Sequence, residues 1–401
     1  MKQIDGGITA VKGVQAAGIP AGIKKSEQKD LALIYTEKPA IAAGVFTKNS
    51  VTAAPVLVSR QHLQKPTAQA IVINSGNANA CTGEIGLENA LRMTSITGEC
   101  LGIDKEQVLV SSTGVIGQQL PMEKIEKGIQ AAANSLSSEG GGDAAEAIMT
   151  TDTYPKSVAI ETTIGGKPVK IGGIAKGSGM VAPNMATMLS YLTTNARIDS
   201  KSLQSALNTV VDNTYNQLTV DTDRSTNDTV IILATRIAEH SEIVQNKGED
   251  YQAFCNGLQF VCTELVRMLA RDGEGATKLV EVVVKHAKNR DDAEKAARAV
   301  AESPLVKTAI FANDANWGRI MMAIGKSEAE FDPYKVNVLL GDYLLVQNGM
   351  DAGYDEDKAT QLFNNDPVQI TINLNAGNAD ITMWTCDYSY DYIRINADYR
   401  T

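Results

Sequence analysis

Hydrophobic and polar positions follow two different periods along this chain. Residues 68–74 form a short, nearly continuous apolar run and predict a buried strand, whereas residues 84–101 space their apolar positions three and four apart and predict an amphipathic helix. The same reading predicts a strand over 107–111, a helix over 121–137 with Pro121 in its first turn, and a loop at 140–142 before a short alanine-rich helix. Residues 157–175 read as two strands around Gly165-Gly166, a hairpin with a two-residue turn. Beyond it come a strand over 187–194, a helix over 200–215, a buried strand over 229–235 and a long helix over 251–271. Strands over 279–286 and 306–311 flank a helix over 291–302, and further strands are predicted over 336–346, 368–374 and 381–386. No repeat of fixed period is present. The fold class is α/β.

Composition narrows the function classes. With 43% of 401 residues apolar, the chain can bury two globular cores or one large one. Its 37 Lys+Arg against 47 Asp+Glu give a net charge of −10, spread along the chain, which disfavours a nucleic-acid backbone as partner. No apolar run approaches the roughly 20 residues of a membrane helix, and the start Met-Lys-Gln-Ile-Asp has no signal-peptide core, so a soluble intracellular protein without membrane contact is expected, and the reduced cysteines place it in the cytoplasm. The five cysteines form no Cys-x-x-Cys pair, which fits reduced thiols. The three histidines, His62, His240 and His286, have no zinc-type spacing, so no metal is expected and a catalytic base must come from another group.

Several glycine- and hydroxyl-rich segments then compete as sites. Gly177-Ser-Gly-Met-Val-Ala182 has the spacing of a dinucleotide fingerprint, but Pro183 and the β-prone stretch after it oppose the helix that fingerprint needs. Asp221 to Asp228 resembles the start of a calcium loop yet has Thr226 in place of the glycine and Ile232 in place of the closing glutamate, so a hydrogen-bonded turn is the better reading. The asparagine-rich loop from Asn74 to Gly83 could line a site or cap the helix that follows it. Ser111-Ser-Thr113-Gly114-Val-Ile-Gly117 ends a strand with small residues that can aim backbone N–H groups at an anion.

In Lys176-Gly-Ser-Gly-Met-Val-Ala-Pro-Asn-Met-Ala186-Thr187-Met-Leu, flexible glycines, a rigid proline and a small residue precede a threonine at the start of a predicted strand. This segment resembles the self-cleavage site of the ornithine acetyltransferases, the glutamate N-acetyltransferase family of arginine biosynthesis. The resemblance extends over nearly the whole chain through Gly6 to Ala10, Asn74 to Gly83, Ser112 to Gly117, Thr150 to Thr153, Asp272 to Thr277, Asn313 to Gly318 and Asn396 to Thr401. It implies layered helices and mixed sheets of the ornithine acetyltransferase and N-terminal-nucleophile aminopeptidase type. It further implies cleavage between Ala186 and Thr187 into fragments 1–186 and 187–401, which assemble as an α2β2 heterotetramer.

Such cleavage answers the shortage of histidine, because a freed Thr187 has an α-amine with a reference pKa of about 8 beside its own hydroxyl and can serve as its base. By the resemblance, Thr113 and Gly114 form the oxyanion hole, and Thr153, Lys176, Thr187, Glu274, Asn396 and Thr401 bind substrate. The implied reaction is ping-pong: N2-acetyl-L-ornithine acetylates Thr187, ornithine leaves, and L-glutamate takes the acetyl group. No cofactor is expected; acetyl-CoA is a second candidate donor, which would make the enzyme bifunctional. The alternative is an N-terminal-nucleophile aminopeptidase or amidohydrolase that hands its acyl group to water.

Overall fold

The computed structural model describes residues 1–25, 27–182 and 188–398. They divide into two compact units, one made of 1–216 and 223–265, the other of 217–222 and 266–401. The proposed cut at 186 therefore falls inside the first unit and not at the border between them.

The first unit is built on a nine-stranded mixed sheet. Its strands are β1 (Lys2–Ile4), β2 (Val14–Ile19), β3 (Leu31–Phe46), β4 (Thr67–Asn77), β5 (Val108–Val115), β6 (Lys156–Ile164), β7 (Lys167–Lys176), β8 (Leu189–Thr194) and β9 (Thr229–Ala234). Their order is β1-β6-β7-β8-β9-β3-β4-β5, with β2 also paired to β3. β8 runs parallel to β9 and β4 parallel to β5, and the other pairs are antiparallel. Period-two alternation explains how the sheet fills two cores: Ile71, Ile73 and Leu109 point to one face, Ala70, Val72, Val108 and Val110 to the other. Helices Ala54–His62, Gly83–Leu101 and Met122–Asn134 bury apolar stripes on the second face, and the short Gly141–Ala147 helix covers the first.

β3 has no counterpart in the sequence reading. Its first half pairs with β2 and β4 and its second half with β9 and, at Ala40 and Ile41, again with β4, around an exposed Glu37-Lys38-Pro39 where the register to β4 shifts. Proline and two charges in the middle of the run hide a sixteen-residue strand from a periodicity argument.

The second unit carries a six-stranded sheet of β10 (Leu279–Ala287), β11 (Asn337–Leu340), β12 (Tyr343–Gln347), β13 (Met350–Asp351), β14 (Val368–Asn373) and β15 (Ala379–Cys386), in the order β13-β12-β11-β14-β10-β15. Only β10 and β14 run parallel among these pairs. Helices Arg290–Ala301, Pro304–Phe311 and Trp317–Gly325 share one core with it, through Ala293, Ala297, Val300, Val306, Ile310, Ile320 and Ile324.

Two expectations are corrected here. Residues 306–311 are helical, not a strand: the Ser303 side chain accepts from the Val306 amide, Pro304 occupies the first turn, and Val306 and Ile310, one turn apart, reach the core. The single strand over 336–346 is two strands, β11 and β12, joined at Gly341-Asp342. The expected hairpin at 157–175 forms as β6 and β7 around Gly165-Gly166.

Candidate active site

In the first unit the site grows from the carboxyl ends of β4 and β5. Their parallel register brings Ser75 beside Thr113 and Gly76 beside Gly114. Gly114 has φ 131°, and a Cβ there would lie 2.3 Å from the Gly76 carbonyl carbon and 2.5 Å from the Asn77 nitrogen. Only glycine allows the two backbones to approach so closely. The supporting loop is stitched by side-chain amides: Asn74 donates to the Asn77 carbonyl at 2.9 Å, Asn79 to the Gly86 carbonyl at 2.8 Å, and Asn227 to the carbonyls of Ala78 at 2.6 Å and Ser112 at 2.8 Å. The asparagines of 74–83 thus hold the loop against the following helix, which favours the turn-capping reading.

Lys176 closes β7, opposite Leu189 of β8, so the chain leaves and returns at the same place. Its buried ammonium donates to the Thr150 hydroxyl at 2.7 Å and to the Thr113 hydroxyl at 3.4 Å, and lies 3.8 Å from the Asp152 carboxylate. An ammonium has no lone pair to accept with, so Thr113 accepts from it and keeps its own proton to donate elsewhere. Asp152 is fully buried and takes hydrogen bonds from Lys156 Nζ and the Gly177 amide, both at 2.7 Å, and from the Thr150 amide at 3.0 Å. Burial alone would raise its pKa, but the ammonium groups of Lys176 and Lys156 outweigh that and hold the carboxyl at about 2. Thr153, the next residue, is exposed.

Asp228 is buried nearby, and there desolvation wins: its carboxyl is pushed well above the ordinary range despite the hydroxyls of Ser225 and Thr47, the Met188 amide and the field of Lys176. Lys24, half-buried against Gly76, is a further cation in this field; burial lowers its pKa, Asp30 raises it and Lys176 lowers it.

In the second unit Glu274 is buried and accepts from the Asn396 side-chain amide at 2.8 Å. The loop that presents it is fixed by Asp387, which takes the Thr277 amide at 2.8 Å, the Lys278 amide at 3.0 Å and the Thr277 hydroxyl, and by Ser389, which donates to the Gly275 carbonyl at 2.5 Å. Gly275, at φ 69°, could not carry a side chain, because a Cβ would sit 2.5 Å from the Tyr392 amide.

The structure therefore joins Thr113, Gly114 and Lys176 in one cluster, with Thr153 one residue from its buried carboxylate, and joins Glu274 with Asn396 in another. Ala186, Thr187 and Thr401 lie outside the described residues. Sequence reasoning missed Lys156 and Asp228 as parts of the site; an Asp and a Lys four apart across Pro155 gave no reason to expect a buried pair.

All three histidines have structural partners. His62 bonds the Val108 carbonyl at 2.7 Å, His240 takes the Arg197 amide at 3.0 Å, and His286 contacts Asn373 at 3.0 Å. Among the described residues no group of three His, Cys, Asp or Glu side chains could hold a metal, and no helix is long and apolar enough to cross a membrane. Residues 178–180 form bends, and none of 177–182 is helical, unlike the helix start that a dinucleotide fingerprint requires.

Comparison with known proteins gives a consistent result. The ArgJ family profile matches residues 15–401. A relative from Symbiobacterium thermophilum named arginine biosynthesis bifunctional protein ArgJ is 49% identical over 403 residues and covers 100% of both chains. The protein of that name from Bacillus subtilis is 46% identical, covering 100% of this chain and 98% of its own. Among solved structures, arginine biosynthesis bifunctional protein ArgJ from Bacillus halodurans is 42% identical, with a TM-score of 0.49 over 51% of this chain and 96% of that one. The ornithine acetyltransferase from Mycobacterium tuberculosis complexed with ornithine is 41% identical, with a TM-score of 0.43 over 46% of this chain and 98% of that one.

Proposed function

Since this chain belongs to the ArgJ family, we propose that it transfers the acetyl group of N2-acetyl-L-ornithine to L-glutamate, yielding L-ornithine and N-acetylglutamate in arginine biosynthesis. The observation that carries this reading is the ammonium of Lys176 set against the Thr113 hydroxyl where β4 and β5 end in facing glycines. Such a point offers a backbone N–H, a hydroxyl proton and a fixed cation without a histidine.

The chemistry divides among named groups. The Thr187 hydroxyl attacks the acetyl carbonyl and passes its proton to its own α-amine, freed by cleavage after Ala186. The oxyanion is met by the Gly114 amide and the Thr113 hydroxyl, and losing one such donor typically slows the step about 100- to 1000-fold. As the intermediate collapses, the α-ammonium returns that proton to the leaving nitrogen, so ornithine departs as an amine and an acetyl ester stays on Thr187. The glutamate amine then attacks that ester through the same oxyanion contacts and restores the hydroxyl. Lys176 binds a substrate carboxylate, Glu274 an amino group with Asn396 steadying it, and Thr153 and Thr401 complete the contacts. In the relatives' name the word bifunctional matches acetyl-CoA as a second donor to Thr187. The enzyme works in the cytoplasm as two copies each of fragments 1–186 and 187–401.

Intact mass of the purified protein and an acetyl-exchange assay test this together. We expect two fragments meeting at 186/187, ornithine release from N-acetylornithine that depends on glutamate, and an uncut, inactive Thr187→Ala chain. An unbroken wild-type chain that still exchanges acetyl would overturn the nucleophile, and ornithine release without any acceptor would make the protein a hydrolase.

A further inference from the structure

A fully enclosed ion pair in the first unit has no role in that chemistry. Asp152 and Lys156 both have side chains at 0% exposure, and each oxygen of Asp152 is engaged. One oxygen takes the Lys156 ammonium and the Gly177 amide; the other takes the Thr150 amide and faces Lys176 at 3.8 Å. A buried ion pair is a poor stabiliser, because desolvating both charges costs about as much as their attraction returns, so its presence calls for another reason.

We propose that Asp152, anchored by Lys156, is the positioning residue of this site: its carboxylate fixes the Lys176 ammonium beside Thr113 and pins the chain at Gly177, where the segment leading to Thr187 begins. The inference rests on the acetyl transfer proposed above. The geometry separates the roles within the lysine cluster. Lys156 is sealed from solvent, its ammonium 4.9 Å from the Tyr154 ring centre, and cannot meet a substrate. Lys176 keeps 8% side-chain exposure and can. The carboxylate between them lets two like charges stand close together and aims the accessible one. It also links the Thr150-Thr-Asp-Thr153 segment to the strand that ends at Lys176, so the neighbouring Thr153 is placed by the same anchor.

Among the described residues, the titratable groups in the field of Lys176 include Asp152, Lys24 beside Gly76 and Asp228, with Lys156 paired to Asp152. Asp152→Asn keeps an acceptor for the Gly177 amide but removes the negative charge, leaving Lys176 opposed by Lys24 and Lys156. The Lys176 ammonium should then lose its proton at lower pH. We expect kcat/KM for N-acetylornithine, normalised to the cleaved fraction, to fall about 100-fold through misplacement of the cation. The alkaline limb of its pH profile should move down by about one unit.

Because the single change strands the Lys156 charge, the double variant Asp152→Asn/Lys156→Met removes both members of the sealed pair and leaves only the partly accessible Lys176 without its counter-ion, and it should fold while retaining both defects. A folded variant that stays uncut supports the anchoring of Gly177. A cleaved variant with wild-type kcat/KM and an unmoved alkaline limb overturns the inference. Wild-type protein that exchanges no acetyl would instead defeat the reaction itself, leaving the two failures distinct.

Discussion

At Gly114 the site depends on an atom that is absent. Gly114→Ala must either push a methyl into the Gly76 carbonyl carbon, 2.3 Å away, or part the ends of β4 and β5. We expect acetyl exchange to fall at least 100-fold, since the amide proposed to meet the oxyanion moves with the strand end. Steady-state kinetics of folded variant protein, confirmed by circular dichroism, reads this directly; activity within a few-fold of wild type would mean that the amide is not used. Asp152 yields a second prediction. Its carboxyl titrates at about 2 when folded against an ordinary 3.8, so its contribution to stability is present above pH 4 and lost as pH falls through 2. That contribution is about 2 kcal/mol. Thermal melts at pH 5 and pH 2 should therefore show wild type losing stability relative to Asp152→Asn/Lys156→Met as acid is added, and a wild type that gains on the variant at pH 2 would reverse the sign of the argument. At this scale the sequence exposed residues whose types announce chemistry, Thr113, Lys176 and Glu274. It concealed Lys156 and Asp228, because a lysine's burial and a carboxyl's raised pKa are properties of the packed surroundings and not of local pattern.

Elements were legible where one period dominates and illegible where context decides. The helix Gly83–Leu101 and the strand β10 each carry a single clean pattern over their length, and both formed close to their expected bounds. Residues 304–311 do not: Val, Thr, Ile and Phe favour a strand, yet a serine cap and a proline in the first turn start a helix. The cap can be weighed directly. Ser303→Ala removes the acceptor for the Val306 amide and should cost about 1 kcal/mol, a drop of a few degrees in Tm. Calorimetry would check it, and an unchanged Tm would show that tertiary packing alone holds the helix. Such packing is substantial, since Lys307 in the same helix is fully buried, donating to the Thr385 hydroxyl at 2.7 Å and to the Cys386 carbonyl.

For the molecule as a whole, the informative feature is where the second fragment's strands lie. β8 and β9, both beyond the proposed cut, stand side by side between β7 and β3, both before it. Severing the 186/187 bond therefore leaves main-chain ladders on both flanks of the inserted pair. We predict that denaturing electrophoresis separates two bands while size exclusion yields one species containing both; separation under native conditions would contradict this strand order. The same wedge makes maturation a one-way event for folding. Before cutting, β7 and β8 find each other as neighbours on one tether, at a rate independent of dilution. Afterwards a denatured pair must meet by diffusion and refill an internal gap, so recovery from urea should depend on concentration for the processed enzyme and not for uncut Thr187→Ala.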